Sequence, residues 1–432
     1  MKEISMHRIV ITLLCLYAGI ASAQTTDTIR WRQVFGDPQL VKLIETALEY
    51  NADLQVASLN VQQARASLQA ARLSMLPSLT IGAEGTISKT KDASVSKIYN
   101  VPLTMQWEVD LAGQLRNEKR AAAASYWSTA ETERGVKLQV IASVASSYYT
   151  LVMLDEQLNV TRQNIDNARQ TVEAMATMKE VGMQNEAAVS QARVAYLGVQ
   201  ASEKSLLQQI RAAENALMVL IGQQQDSIGR ATWTSTTVSI DETIPYSLAS
   251  LANRPDVRAA EYALKAQTAQ TGVARAAFYP SLNISASAGW TNNIGEVVNP
   301  GQMLFNAVGS LVQPLFNRGQ NRANLRIAKA RQEQALVAFN QSLLVAGTEL
   351  SDALAACRLS RERLQVRQEE VVAARHAYEV SQIVMQHSSS TYLEVLAAQQ
   401  SLIQSQLALT NDWIDLMNGK ISLFKALGGE IR

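Results

Sequence analysis

The sequence is poor in the residues that punctuate or staple a chain. Its 432 residues include only 20 glycines and 8 prolines, so turns are scarce and the elements between them must be long. Cysteine occurs twice, at Cys15 and Cys357. Because Cys15 falls in the leader described below, the mature chain has no intrachain disulfide open to it, and packing must hold the fold. The three histidines, His7, His376 and His387, have no partner at metal-ligand spacing, so neither a metal nor a cofactor is expected. With 39 basic and 38 acidic residues, the charge balance lacks the electrostatic footprint of a nucleic-acid-binding protein. Beyond the N-terminus no run of about 18 apolar residues offers a membrane-spanning helix. The G-x-S-x-G, H-E-x-x-H and phosphate-loop motifs are also absent, which leaves an enzyme reading little to stand on.

What is present begins with a leader. "MKEISMHR" carries Lys2 and Arg8, "IVITLLCLYAGI" is a short apolar run, and Ala21-x-Ala23 precedes Gln24. This is the pattern of a secretory signal peptide over residues 1–23, with cleavage between Ala23 and Gln24. Leu14 stands before Cys15 where a lipoprotein site needs a small residue, so no lipid anchor is expected.

The remainder reads as two copies. "ARLSMLPSLTIGAEG" (71–85) and "ARAAFYPSLNISASAG" (274–289) share a helix that runs through a proline, Pro77 or Pro280, into an alternating segment. At an offset of 203 the match extends upstream, from "NADLQVA" to "RPDVRAA". Each copy reads as a helix (38–73; 248–277), two strands (78–90 and 98–109; 281–293 and 303–315) and a very long helix (113–178; 320–385). A break, "EVGMQNE" or "QHSSST", then precedes a returning helix (186–221; 391–427). Gly182 and Gly428-Gly429 suit helix ends. Residues 24–221 and 248–432 are thus the repeats, and 222–247 the linker between them.

In "VPLTMQWEVD" Val101, Leu103, Met105, Trp107 and Val109 alternate with Pro102, Thr104, Gln106, Glu108 and Asp110. One apolar face over about ten residues suits a tilted membrane strand or one layer of a soluble sandwich. Four strands cannot close a barrel, for which about eight are the minimum, and an open sheet leaves exposed edges. Three chains would supply twelve strands and leave a lumen. Glu84, Glu108 and Asp110, on the polar faces, are expected to line it. A helix from 113 to 178 spans about 100 Å, far longer than one globular domain requires. Small residues at Ala121–Ala124, Ala142, Ala145 and Ser146 permit close helix neighbours.

"FGDPQLVKLIETALEYNADLQVA", "RPDVRAAEYAL", "ARAAFYPSL" and "TYLEVLAAQQSLIQSQLAL…LFKALGG" resemble the outer-membrane factor family, the TolC-like channel proteins. Their nearest counterparts are the outer-membrane subunits of resistance-nodulation-division efflux pumps, and the resemblance covers the whole mature chain. It implies a mainly α fold with a membrane β portion, in which a homotrimer forms a 12-stranded β-barrel and a coaxial 12-helix periplasmic α-barrel. It also implies a passive exit duct in the outer membrane, docked to a periplasmic adaptor and through it to an inner-membrane pump. By position, Leu393 matches a constricting leucine of the periplasmic aperture, while Ala397 stands where relatives often carry aspartate; Glu394 is expected to supply the charge. Gln184, Glu186, His387 and Ser388, at the two hairpin tips, are candidates for adaptor contact. A type I protein-secretion duct and an exported coiled-coil scaffold are the competing readings.

Overall fold

The computed structural model describes residues 31–89, 95–224, 228–233, 238–240, 251–293, 297–387 and 392–429. The leader, with Leu14, Cys15 and the Ala23–Gln24 junction, and Ser388 at the second tip lie outside these residues. Thirteen elements follow in order among the described residues: α1 (Trp31–Val34), α2 (Pro38–Tyr50), α3 (Ala52–Leu73), β1 (Ser78–Ile81), β2 (Glu84–Ser88), β3 (Ser96–Val109), α4 (Gln114–Glu180), α5 (Glu186–Ile221), α6 (Pro255–Ala276), β4 (Ser281–Asn293), β5 (Val297–Val312), α7 (Gln320–His387) and α8 (Tyr392–Ala426).

Local chemistry sets the boundaries. The single helix expected over 38–73 is two, because Asn51 ends α2 and starts α3. Its side-chain oxygen accepts from Leu54 N at 3.0 Å, and its amide donates to the Leu220 carbonyl at 2.8 Å. An N-cap bond of this kind satisfies a backbone donor that the helix itself leaves unpaired. The helix expected from residue 248 begins at Pro255, with Arg254 as its N-cap; proline at the first helical position loses no helix bond. Both long helices leave the sheet through a left-handed glycine, Gly113 (φ 79°) and Gly319 (φ 81°), a backbone state in which a side chain would be strained.

All strand pairs are antiparallel. β1 and β2 lie along β3 in one continuous register, with Ile81 opposite Leu103 and Glu84 opposite Asn100. The one strand expected over 78–90 is interrupted at Gly82-Ala83 because Pro102, opposite that gap, has no N–H for the ladder. Gly82 N still donates to the Pro102 carbonyl at 3.0 Å. On the other side of β3, Pro102 faces Gly289 of β4. β5 runs over 297–312 rather than the expected 303–315. The sheet order is β1/β2–β3–β4–β5, so β1/β2 and β5 are edges.

The register sorts the residues cleanly. Ile81, Leu103, Ala288 and Phe305 form one cross-strand row, Leu79, Met105, Ala286 and Ala307 another, and Val101, Trp290 and Met303 a third. On the opposite face run Thr80, Thr104, Ser287 and Asn306, and Glu108, Asn283 and Ser310. Nothing among the described residues covers the apolar face: Ile81 is 77% exposed and Phe305 73%. From Val109 to Val101 it extends about 26 Å along the strands, on the scale of the apolar band of a membrane barrel.

Below the sheet the helices keep the strand order. α3, α4, α6 and α7 pack in sequence near the strands; farther down, α5, α4, α8 and α7 do so. α4 and α7, at 67 and 68 residues, run through both levels for about 100 Å. The largest core sits where the levels meet. There Tyr148, Tyr149, Ile141 and Leu151 of α4 pack with Ile44, Leu217, Ile221 and Phe424. The linker is fastened to this core: Val238 bridges Phe35, Trp233 stacks 4.4 Å from Trp413, and Arg230 joins Asp155 and Glu214.

A Cβ at position 289 would lie 2.4 Å from the Val101 carbonyl oxygen and 2.6 Å from Pro102 Cα. Gly289→Ala is therefore expected to cost about 1–3 kcal/mol of overpacking. Thermal melting of the β signal by circular dichroism checks this; an unchanged midpoint contradicts it.

Candidate functional site

The side chains that matter here line surfaces; they do not converge on a reacting atom. Glu84 and Glu108 both stand on the polar sheet face, near opposite ends of it, in register with Asn100 and Asn283. Asp110 departs from expectation. It lies one residue past β3, and its carboxylate accepts from Leu115 N at 3.2 Å and Arg116 N at 3.0 Å and pairs with Arg116 Nε at 2.9 Å. Gly113 caps α4 without a side chain, so Asp110 supplies the missing acceptor from three residues upstream. Pro77 and Pro280 each stand immediately before the first residue of a strand, Ser78 or Ser281. At the first of these junctions Trp107 Nε1 donates to the Met75 carbonyl at 3.1 Å.

At the far end of the long helices the first tip is described in full. Gly182 takes φ 76°, Met183 N donates to the Met178 carbonyl at 2.8 Å, and Asn185 caps α5 by accepting from Ala188 N at 3.0 Å. Lys179 and Glu186 pair across the turn, and this bond and its charge hold the Glu186 carboxyl below the usual carboxylate range. Gln184 is half-buried and Glu186 exposed. Val181 and Met183 are each 66% exposed. Sequence reasoning passed over both, although apolar residues flanking a glycine turn were visible.

The second hairpin meets the first through a small core. Met175 of α4 and Ala188 and Ala192 of α5 cluster with Tyr378 and Met385 of α7 and Tyr392 and Val395 of α8. That packing turns Tyr392 and Val395 inward and leaves Leu393, Glu394 and Ala397 exposed on one side of the first turns of α8. His387 is the last residue of α7.

A seam that the sequence did not disclose joins the repeats. Along α4, Ser146 bonds Asn418 at 2.7 Å, Gln157 bonds Thr410 at 2.9 Å and Asn411 at 3.0 Å, and Asn164 bonds Gln406 at 3.3 Å, the partners all lying on α8. On the other side of α8, Asp412 pairs with Arg363 and Arg367 of α7, each at 2.8 Å. Buried amides and hydroxyls bonded in this way fix register without adding an apolar patch.

A one-sided apolar sheet with open edges, set on a wall of long helices, describes a membrane-barrel protein with a long extension. Comparison with known proteins agrees. The model of the family described as "Outer membrane efflux protein" matches twice, over residues 43–223 and 247–429. The solvent efflux pump outer membrane protein SrpC of Pseudomonas putida is 31% identical over 409 residues, covering 92% of this chain and 87% of that protein. The cation efflux system protein CusC of Escherichia coli O157:H7 is 30% identical over 416 residues, covering 95% and 90%. Among solved structures, one of CusC superposes with a TM-score of 0.89 at 28% identity, covering 94% of this chain and 96% of that one. The outer membrane protein VceC of Vibrio cholerae gives 0.84 at 26% identity, covering 92% and 98%. The chain belongs to the outer membrane efflux protein family. Its place is the outer membrane and its activity that of an efflux channel; the family is one of ducts rather than enzymes.

The depressed carboxyl of Glu186 sets a pH prediction. The Lys179 pairing contributes fully above the ordinary carboxylate range and is lost as pH falls through the lowered value. Amide hydrogen exchange across the first tip, corrected for intrinsic rates, should rise on acidification below about pH 4. Glu186→Gln should abolish that transition; an identical transition in the variant contradicts the assignment.

Proposed function

We propose that three copies close into one duct, and that this duct is the passive exit channel of a tripartite efflux system. The observation that carries the proposal is that every level of the chain ends in the same two kinds of edge. β1/β2 and β5 bound the sheet, α3 and α7 the upper wall, and α5 and α7 the lower wall. The helical edges are apolar and uncovered among the described residues: Val337, Leu344, Leu359 and Val366 of α7, and Val194 and Val219 of α5, are each more than half exposed. Joining the α7 edge of one copy to the α3 and α5 edge of the next covers both and brings β5 beside the next β1/β2. Four strands and four helical columns per copy give a 12-stranded barrel over a 12-helix tunnel when three copies close.

In this reading the apolar sheet face meets lipid, and Glu84 and Glu108 line the lumen. The repeats, 24–221 and 248–432, are joined by the linker 222–247, and the leader is removed after Ala23. Leu393 narrows the periplasmic aperture and Glu394 supplies its charge, since both lie on the exposed side of α8. Gln184, Glu186, His387 and Ser388 at the tips contact a periplasmic adaptor. The adaptor links the duct to an inner-membrane pump of the resistance-nodulation-division type. The relatives' names refer to solvent and to cation efflux, and we assign the choice of cargo to the pump.

Planar-bilayer recording tests the duct and its aperture together. The purified protein is expected to insert as discrete, water-filled conductances, and Glu394→Ala to shift the reversal potential in a salt gradient toward lower cation preference. Absence of conductance contradicts the channel, and an unchanged reversal potential contradicts the charge assignment.

A further inference from the structure

Directly beneath the apolar band the wall carries an excess of basic groups over acids. Residues 313–332 contain Arg318, Arg322, Arg326, Lys329 and Arg331 and no acid, although the whole chain balances 39 basic against 38 acidic groups. The last turns of α3 and α6 add Arg72 and Arg275, both exposed and again without an acid nearby in sequence. At the start of α4, Arg116 is paired with Asp110, and Arg120 is exposed.

The placement of these groups is ordered. On α7, Arg322, Arg326 and Lys329 recur every three or four residues, all exposed, and so share one helix face, while Arg318, also exposed, stands two residues before the helix begins. α7 meets α6 through a different face, where Asn321 donates to the Ala277 carbonyl at 2.7 Å and the Ala328 carbonyl accepts from Thr271 at 3.3 Å. On α4 the two sides of the wall can be told apart. Ser125, Ser128 and Thr132 line a cavity of about 620 Å³ together with Gln63 of α3 and Gln270 of α6. A cavity shared by three successive helices marks one side of the wall, which the channel reading makes the lumen side. Arg116 and Arg120 lie on the opposite side of α4, in line with Trp127, which is 50% exposed.

We infer that this basic collar binds the phosphate headgroups of anionic phospholipids in the periplasmic leaflet of the outer membrane. The inference rests on the channel reading above, which puts the apolar band in lipid. From Arg322 to Arg326 the collar spans about 6 Å of α7, comparable with the headgroup layer of about 5–8 Å on each side of the hydrocarbon core. Guanidinium groups grip phosphate oxygens in pairs, and each basic side chain near an anionic surface strengthens binding about fivefold. Trp107, Tyr279 and Phe316, exposed at the same level, are the aromatic residues expected at a membrane–water boundary. The collar lies at the end of the sheet from which the long helices depart. It therefore faces the phospholipids of the periplasmic leaflet.

The test counts lipid. The full-length channel is reconstituted in equal parts phosphatidylethanolamine and phosphatidylglycerol and re-extracted in mild detergent, and the lipid it retains is measured by mass spectrometry. Wild type should retain phosphatidylglycerol preferentially. Arg322→Gln combined with Arg326→Gln should lower that preference about tenfold or more, while the corresponding double lysine variant should keep most of it. Equal enrichment in the glutamine variant overturns the collar. So does a glutamine variant whose only change is in the reversal potential, because its arginines would then face the lumen. If the glutamine pair blocks assembly, Arg72→Gln with Arg275→Gln reads the same ratio. A semi-native gel run first reports the oligomer, so failure of the channel reading is seen separately from loss of lipid preference.

Discussion

Inside a bilayer, a backbone N–H or C=O without a partner has no water to fall back on, so a sheet that faces lipid must close. That constraint governs this chain. Its sheet ends at β1/β2 on one side and β5 on the other, and nothing among the described residues covers either edge. The unmet hydrogen bonds thus make the single chain an incomplete object. The same incompleteness recurs below the sheet, where α7 presents an apolar stripe along its length. Closure between copies satisfies the strand edges by hydrogen bonding and the helix edges by burial of apolar surface, with one arrangement serving both.

The tunnel then depends on carrying strand order into helix order without error. Two left-handed glycines, Gly113 and Gly319, and two prolines, Pro77 and Pro280, turn the chain at that boundary. Asp110 secures the first of the outgoing helices by bonding its opening turn. Farther down, the polar seam from Ser146 to Asn164 on α4 fixes the axial position of α8, and with it the height of Leu393 and Glu394. Amides serve here where leucines would not, because an apolar seam tolerates sliding and a hydrogen-bonded one does not.

Much of this was legible because long elements with few breaks announce themselves. The strand 281–293 and the helix 186–221 are found at the bounds their periodicity and turn residues indicate. What escaped depended on partners distant in sequence or on competing local signals. Asn51 interrupts a pattern that stays apolar at helical spacing on both sides, so the period hides the cap. Asp110 continues the strand's alternation by parity, yet Gly113 three residues later has already claimed it for the helix start. The gap at Gly82-Ala83 is caused by Pro102, a residue on another strand. Gln157 and Asn164 read as ordinary solvated polar residues until α8, more than 240 residues away, supplies their partners. Leu393, Glu394 and Ala397 drew attention through family resemblance, and it is the packing of Tyr392 and Val395 that leaves them exposed.

The claim on which the rest depends is closure by three chains. Light scattering on the detergent-extracted outer-membrane protein, with the detergent mass subtracted, measures it most directly. The account predicts a protein mass of three chains that collapses to one on heating. A monomeric or dimeric mass in a species that still carries its β signal would contradict it.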